Sequence, residues 1–521
     1  MVSSIVDQHG KPFVSAKDKA VAEVMRLRRE ISTLRSSYDA AQDVYSSENH
    51  WAQADSLDPH SAASLQVRKK LRNRSRYEII ENNPYLKGIL LSICNDFIGS
   101  GPRLQITDKR LSKERRRLIS AAFSAWAKQI KLRRKLWRMR LARTVDGESF
   151  CPAYQNKKLL GPLKLDFWVV EADRISSEEG WAIAPQQTVS SEVNQVDGVR
   201  YDGFDNPLEY HLLNSHPGSN LWINSTLGGQ WIKSEFMPHW FRQDRGWLRG
   251  IPELTPSLPL CALLRRYTLA IVRAAEVGAD FAAVIETEGP PSANLWTDGA
   301  GNQIQDSPWD IFPIEMGQIT TLPWGHKLKE MGGKTPPIID AFIDSLLRMI
   351  VRPLLITFNR ASGSSQDSNM ASSVVDDRIY TSGIQEDRFS CDEDILDQML
   401  GLWWFEATRI PGFLDDPLLR EADFLQANPS LMIQPPLHRW RWDKVGVEHT
   451  DPLKVSKALE VLRDNGFSTD RDIQEEYYNR DVDDWREEIE EDQSWRQENL
   501  GAIPQADSQG ESTPVDEEEE E

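Results

Sequence analysis

Gly332, Gly333, Lys334 and Thr335 spell Gly-Gly-Lys-Thr, the tetrapeptide that closes many phosphate-binding loops, within the stretch WGHKLKEMGGKTPPII. A working loop of that kind needs G-x-x-x-x-G-K-[ST], with a buried strand before it and a helix starting at the lysine, so that backbone N–H groups face the phosphates. Five residues before Gly333 stands Leu328, not glycine, and the segment HKLKEM alternates poorly as a buried strand. Pro336 and Pro337 follow Thr335 directly, which biases Thr335 towards extended backbone and suits Pro336 to a first helical position. The tetrapeptide therefore reads as a turn before a helix and not as a nucleotide site.

Other reactive constellations are equally sparse. The nine histidines show no HExxH spacing, and His211 and His216 fall in a strand-like stretch where a structural histidine is commoner than a ligand. No GxSxG elbow occurs. DVDDW, at 481–485, has carboxylates enough for a cation, but in so acidic a region it reads as a solvated helix face. Cys94, Cys151, Cys261 and Cys391 stand far apart without a CxxC pair, a pattern of reduced, packed thiols. No catalytic residue, metal ligand or cofactor is assigned, and the chain does not read as an enzyme.

At 521 residues the chain exceeds the usual single core and implies two or more domains. The N-terminus is polar, with Asp7, Lys11 and Lys17 interrupting any apolar core of a secretory signal, and no apolar run reaches the roughly 20 residues that span a bilayer. The net charge of -19 conceals a polarity: residues 68–143 carry 22 Lys/Arg against 5 Asp/Glu, whereas residues 444–521 carry 25 acids against 8 bases. One end suits polyanions and the other repels them; solvated helix faces would give the same composition.

The elements follow from periodicity. Residues 15–42 read as a polar helix and 64–98 as a basic helix, a break at Asn82-Asn83-Pro84 and an apolar helix ended by Gly99. A second strongly basic helical stretch covers 112–143. From 147 to 240 aromatic and β-branched residues with Asp202-Gly203 and Asp205-Asn206-Pro207 turns predict an antiparallel β-rich domain. A long helix ends near Ile285, with Arg266, Arg273, Glu276 and Asp280 on one stripe and many alanines elsewhere, so close packing on several sides is expected. Residues 285–334 look irregular and strand-rich. A helix then runs from about Pro336 to Leu355, with Asp340, Asp344, Arg348 and Arg352 four apart and signed to suit the helix dipole. The polar loop NRASGSSQDSN and a third helical tract from Met370 follow; the tail beyond Gln497 is acidic and is expected to be disordered.

Taken in order, SLQVRKKLRNRSRYEIIENNPYLKGILLSICNDFIGSGPRLQ, DGESF, VVEADRI, GVRYDGFDNPLEYHLLNSHPG, HWFRQDRGWLRGIPELTPSLPLCALLRRYTLAIVRAAEVGADFAAVIE, MASSVVDDRIY and DPLKVSKALEVLRDNGFSTDRDI resemble the portal proteins of tailed bacteriophages, lambda-like family, over roughly residues 38–485. HRWRWDKVGVEHTDPLK departs from the shorter Trp-x-x-x-Asp-Pro link common in the family.

The resemblance implies an α+β portal fold assembled as a ring, commonly of twelve copies, at one capsid vertex. It divides the chain into an N-terminal helix and linker (1–60), a wing (61–250), a first stem helix (251–285), a clip (286–334) and a second stem helix (335–356). A tunnel loop (357–369), a long helix with wing return (370–450), a helical crown (451–496) and the acidic tail (497–521) complete it. The implied function is a channel through which double-stranded DNA is packaged and ejected. The implied partners are further copies of the chain, the DNA, the terminase large subunit, the major capsid protein and scaffold, and a head–tail adaptor, with no membrane. Such a protein is assembled in the host cytoplasm and resides in the virion.

Two sets of residues could then meet DNA. Asn359, Arg360, Ser362, Ser364 and Ser365 would touch its backbone from the tunnel loop, the alternative being a solvent-exposed connector. Arg115, Arg116, Arg117, Arg133 and Arg134 would face packaged DNA or capsid protein, the alternative being pairs with the acidic crown of a neighbouring subunit. A rival function, a packaging nuclease or ATPase, requires a carboxylate metal cluster or a nucleotide loop.

Overall fold

The computed structural model describes residues 57–107, 111–177, 194–219, 228–280, 339–364, 370–414, 438–442, 452–470 and 482–500, with short segments at 23–24, 284–287, 296–297, 303–304, 326–329, 473–474 and 478. The chain divides into two compact units at Ala62. Of the first, the helical turn Pro59–Ala62 is the main described element; most of the helix expected over 15–42 lies outside the described residues. Gly332 to Pro336, Ser365 and the tail beyond Leu500 lie outside them too.

The second unit opens with α1 (Leu65–Ser75), a π-helical turn Arg76–Asn82, and α2 (Pro84–Ile98). The sequence sets both ends of α2. The Asn83 side chain accepts from the Leu86 N–H at 3.4 Å, Pro84 takes the first position, and Gly99 turns the chain out with φ 46°. Leu86, Ile89, Leu90, Ile93, Cys94 and Phe97, spaced three and four apart, are buried on its inner face. Strand β1 (Arg103–Ile106), α3 (Lys113–Gln129) and α4 (Leu132–Asp146) follow, α3 opening on the Ser112 hydroxyl as its N-cap.

The chain then turns into strands: β2 (Glu148–Phe150), β3 (Ala153–Gln155), β4 (Leu165–Phe167), β5 (Asn194–Val196), β6 (Val199–Tyr201), β7 (Pro207–Leu213), β8 (Gly229–Lys233) and β9 (His239–Phe241). All pairings are antiparallel: β2 with β9, β3 with β4, and the meander β5-β6-β7-β8. The Asp202 carboxylate holds the β6–β7 turn by accepting from the Phe204 and Asn206 N–H groups, both at 2.8 Å. The β-rich expectation for 147–240 thus holds in kind.

Helix α5 (Leu258–Asp280) starts later than the boundary expected at 251, because Pro252 and Pro256 hold the preceding stretch in turns. β10 (Val284–Thr287) pairs with β13 (His326–Lys329), and β11 (Trp296–Thr297) pairs with β12 (Gln303–Ile304). His326–Lys329 is therefore a strand despite its poor alternation. It lies in an antiparallel two-stranded ribbon, which has no place in a nucleotide-binding loop.

Helix α6 (Ile339–Val351) ends in a 3₁₀ turn Arg352–Leu354. The loop expected over 357–369 begins as a short helix, α7 (Phe358–Ser362), stopped by Gly363 at φ 69°. α8 (Met370–Cys391), a π-helical turn Asp392–Leu396 and α9 (Asp397–Ala407) form the third helical tract. β14 (His438–Arg441) returns to pair antiparallel with β1, and α10 (Pro452–Asp464) and α11 (Val482–Leu500) complete the described chain. α11 continues past the boundary expected at 496, to Leu500, with no Gly or Pro to stop it.

Three cores result. Phe123, Trp126, Trp403 and Phe167 fill one between α3, α4, α9 and β4. Ile89, Ile93, Leu264, Leu347, Ile350 and Tyr380 fill a second between α2, α5, α6 and α8. Phe150, Val199, Tyr210 and Leu212 line the meander. The four cysteines are free and buried, and burial pushes the Cys94, Cys151 and Cys261 thiols up to about 12.

Gly147 joins the helical and stranded parts. Its φ is 89°, and a Cβ there would stand 2.1 Å from the Ile251 carbonyl carbon. Gly161 shares the left-handed backbone (φ 92°) but has nothing within 4 Å of a Cβ. Gly161→Ala is expected to cost about 1 kcal/mol of stability in chemical denaturation, and Gly147→Ala at least ~3 kcal/mol, since only the latter adds a backbone clash.

Candidate functional site

The basic tract of 68–143 does not present a continuous charged surface. Arg68, Arg72 and Arg76 recur every four residues along α1 and its π-turn, so they share one face, and that face is turned inward: Arg68 and Arg72 are each 1% exposed. Arg140 and Arg143 of α4 are buried as well. A buried guanidinium must be paired and its N–H donors satisfied, or it costs several kcal/mol. Each of these arginines finds its carboxylates far along the chain.

Glu148 of β2, wholly buried, is the first centre. It pairs with Arg72, and it accepts from Arg249 Nη2 at 2.7 Å and Nε at 2.9 Å, from His239 Nε2 at 3.2 Å and from the Gly250 N–H at 3.2 Å. Burial alone would push this carboxyl up; the Arg249 and Arg72 guanidiniums overcome it and hold it well below the usual glutamate range. Arg76 donates to Asp146 and Asp173, both at 2.6 Å, while Arg72 donates to Asp173 at 3.2 Å and to the Asp146 carbonyl at 3.0 Å. Arg68 pairs with Asp197 and donates to the Ala63 carbonyl at 2.6 Å. Burial, with the like charges of Arg249 and Arg72, pushes Arg68 down to about 9.

The second centre is Glu253. It accepts from Arg143 Nε at 2.8 Å, Arg140 Nη1 at 3.0 Å and the Thr144 hydroxyl at 3.1 Å. Asp387 of α8 closes the set, pairing with Arg140 Nη2 at 2.7 Å and with Arg143. Burial raises the Glu253 carboxyl, and Arg140 and Arg143 pull it below its ordinary value. The Arg143 guanidinium lies 4.3 Å over the Trp240 ring. Helices, strands and the long helix α8 are thus cross-linked by charge in a medium where water does not compete.

The expected DNA-facing residues divide. Arg360 is not on an open loop: within α7 its Nη1 donates to Asp96 at 2.5 Å, its Nε lies 3.4 Å from Asp377, and its guanidinium stacks 4.5 Å from the Tyr380 ring. The Tyr380 hydroxyl donates to the same Asp96 at 2.6 Å. Next to it, the Ser362 hydroxyl donates to the Asn359 and Ser364 carbonyls and accepts from the Ser364 N–H, fixing the end of α7. Arg115, Arg116 and Arg117 lie at the start of α3, where Arg115 is exposed and the other two are half-buried. Arg133 and Arg134, both exposed, stand in the first turn of α4, with Arg133 Nε donating to the Gly99 carbonyl at 2.9 Å. Cations in a first turn oppose the helix dipole, so these positions are not explained by helix stability.

Sequence reasoning missed the interior arginines. Their signal was available in the four-residue recurrence of Arg68, Arg72 and Arg76, and in the carboxylates of DGESF, EADRI and GIPE that meet them. His211 is structural, its Nδ1 2.6 Å from the Ser176 carbonyl oxygen, and His216 pairs with Glu171 at 2.9 Å. Among the described residues no group of His, Cys, Asp or Glu is arranged to hold a metal ion, and no helix is long and apolar enough to cross a membrane.

Several of the segments that supply this network also carry the family likeness, and the sequence model of the lambda family of phage portal proteins matches residues 48–382. The chain belongs to that family. A portal protein is a structural part of a capsid vertex, and the nuclease or ATPase alternative is not favoured. A probable portal protein of Halomonas phage phiHAP-1 is 26% identical over 453 residues, covering 81% of this chain and 79% of that protein. Among solved structures, a chain of the neck of an empty GTA particle is similar with 11% identity and a TM-score of 0.41, covering 77% of this chain and 92% of that one. A chain of the neck of the native particle matches with 9% identity and a TM-score of 0.39, covering 80% and 93%.

Glu148 gives the portal network a measurable signature. Glu148→Ala would leave Arg72 and Arg249 buried without their carboxylate and is expected to cost roughly 3–5 kcal/mol in chemical denaturation. The depressed Glu148, Glu253 and Asp173 contribute stability that is present above their ordinary values, near 4, and is lost as pH falls through the lower folded values. Thermal unfolding of the wild type should therefore fall steeply on acidification below about pH 4.5.

Proposed function

We propose that this portal protein works as a ring, of twelve copies as the family commonly forms, whose channel passes double-stranded DNA during packaging and ejection. In the same reading the ring docks the terminase large subunit and a head–tail adaptor, and it is set into the shell by the major capsid protein and scaffold in the host cytoplasm. The family match over residues 48–382 carries the reading. Within it α5 and α6 are the two stem helices, 286–334 the clip, α7 the base of the tunnel loop, and α10 and α11 the crown.

One structural observation supports self-association in particular. α5 and α6 pack on each other, with the Tyr267 and Phe342 rings 5.0 Å apart, yet Leu269 and Val272 of α5 and Phe342 and Met349 of α6 remain about half exposed in the single chain. The alanine-rich helix expected to pack on several sides is covered on only part of its surface by its own chain. Neighbouring copies in a ring would cover the rest. Mass photometry and negative-stain imaging of the purified chain should show a ring near twelve times the 59.5 kDa subunit mass, and Val272→Asp with Met349→Asp should leave folded single subunits. A monomer in the wild type at micromolar concentration would overturn the ring.

For DNA, a channel must hold its cargo loosely, since every neutralised phosphate adds salt-sensitive affinity. An arginine already shared between Asp96 and Asp377 offers little free charge, which suits that need. We assign Arg360 to positioning the loop, and backbone contact to Asn359, Ser362, Ser364 and Ser365. Arg360→Ala should lower thermal stability while changing packaged DNA length little; a large loss of packaging at unchanged stability would instead make Arg360 a direct contact. Arg115, Arg116, Arg117, Arg133 and Arg134 supply the outer cationic face. Salt-dependent DNA binding by intact rings would place DNA on it, and salt-dependent ring dissociation would place a neighbour's acidic crown there.

A further inference from the structure

The segment HRWRW, at 438–442, lies beyond the residues that the family model matches and begins the stretch that departs from the family's usual link. In the structure it is β14 and the residue after it. Along a strand, residues two apart share a face, so His438, Trp440 and Trp442 point the same way. All three bring a ring nitrogen to a carboxylate of the helical tract α8–α9. The His438 Nε2 is 2.8 Å from Asp397 Oδ1, the Trp440 indole N–H donates to the same oxygen at 2.8 Å, and the Trp442 indole N–H donates to Asp392 Oδ1 at 2.9 Å.

Asp392 and Asp397 are five residues apart. On a regular α-helix that spacing rotates them about 140° from each other. The π-helical turn Asp392–Leu396 falls between them, and a π-turn brings i and i+5 into line. The extra residue in the helix and the three ring donors in the strand are matched parts. We propose that HRWRW and the Asp392/Asp397 pair form a proton-sensitive clasp, which holds β14 against the π-turn and α9.

The surroundings of Asp392 set the sensitivity. Burial, with the nearby Asp397 and Glu393 carboxylates, raises it to about 7 against the Trp442 N–H and the Arg388 guanidinium. Arg388 cannot neutralise it freely, because its Nε and Nη2 donate to the Phe97 and Asp96 carbonyls and it lies 5.1 Å over the Trp442 ring. Cys391 is buried beside it, and Asp394 is engaged by the Ser390 hydroxyl at 3.0 Å. On the strand, Arg439 faces the other way and donates to Gln105 of β1 at 2.6 Å, leaving His438 as the titratable group that meets Asp397 and Arg441 as the remaining cation. A carboxyl whose folded value is raised stabilises the closed state fully at low pH and loses that contribution as pH rises through the folded value. The clasp is therefore tight in mild acid and loosens through neutrality.

Hydrogen–deuterium exchange of the full-length protein, corrected for intrinsic rates, reads this directly. Opening of the 438–441 amides should increase on the order of tenfold between pH 5.5 and pH 8, while amides of Pro84–Ile98 measured in the same samples stay level. Asp392→Asn keeps an acceptor for Trp442 without a titrating proton, and its 438–441 protection should vary far less with pH over that range than in the wild type. Asp397→Asn, which weakens two of the three contacts, should open β14 at both pH values. Trp442→Phe provides a second test, since it removes the donor on the strand and leaves the helical tract unaltered. A wild-type slope retained in Asp392→Asn, or protection unchanged in both Asp397→Asn and Trp442→Phe, would overturn the clasp.

Discussion

An arginine taken out of water must be paired with opposite charge. α1 and α4 carry Arg68, Arg72, Arg140 and Arg143 into the interior, and the rest of the second unit is arranged around the carboxylates and carbonyls that receive them. β2 is placed by Glu148, the loop before α5 by Arg249 and Glu253, and α8 by Asp387. A hydrophobic core of the same volume would tolerate sliding and repacking. A guanidinium fork bound at fixed angles does not, so the helices, the strands and the long helix are held in one register.

The first helix, the fourth, strand β2 and the long helix α8 are thus cross-linked by buried charge. Asp96 and Arg388 show the same principle at smaller scale. Asp96 receives Arg360 and Tyr380 through its carboxylate, while its backbone carbonyl receives Arg388, so a single turn at the end of α2 ties α7 and α8 together.

Much of this fold was legible in the sequence, and the legible part was local. The break at Asn83-Pro84, the stop at Gly99 and the turn at Asp202 are each written in residues that act on their immediate neighbours, and each appears where the sequence placed it. The helix at Phe358–Ser362 was read as loop because its polar, small residues resemble a linker; its order comes from Asp96 and Asp377, which stand 264 and 17 residues away. The interior arginines were read as surface for the same reason. Periodicity shows which residues share a face, and only the tertiary partners decide whether that face looks inward. The π-turns at Arg76–Asn82 and Asp392–Leu396 left no local sign, because their extra residue answers to contacts elsewhere.

The partners of the buried arginines also impose a timetable. Arg72 meets Glu148 76 residues later, and Arg143 waits 244 residues for Asp387. The counter-charges of α1 arrive with the end of α4 and with β2, those of α4 with Glu253, and the set closes only when Asp387 of α8 is made. Such dependence on distant contacts makes for slow, late and strongly cooperative folding.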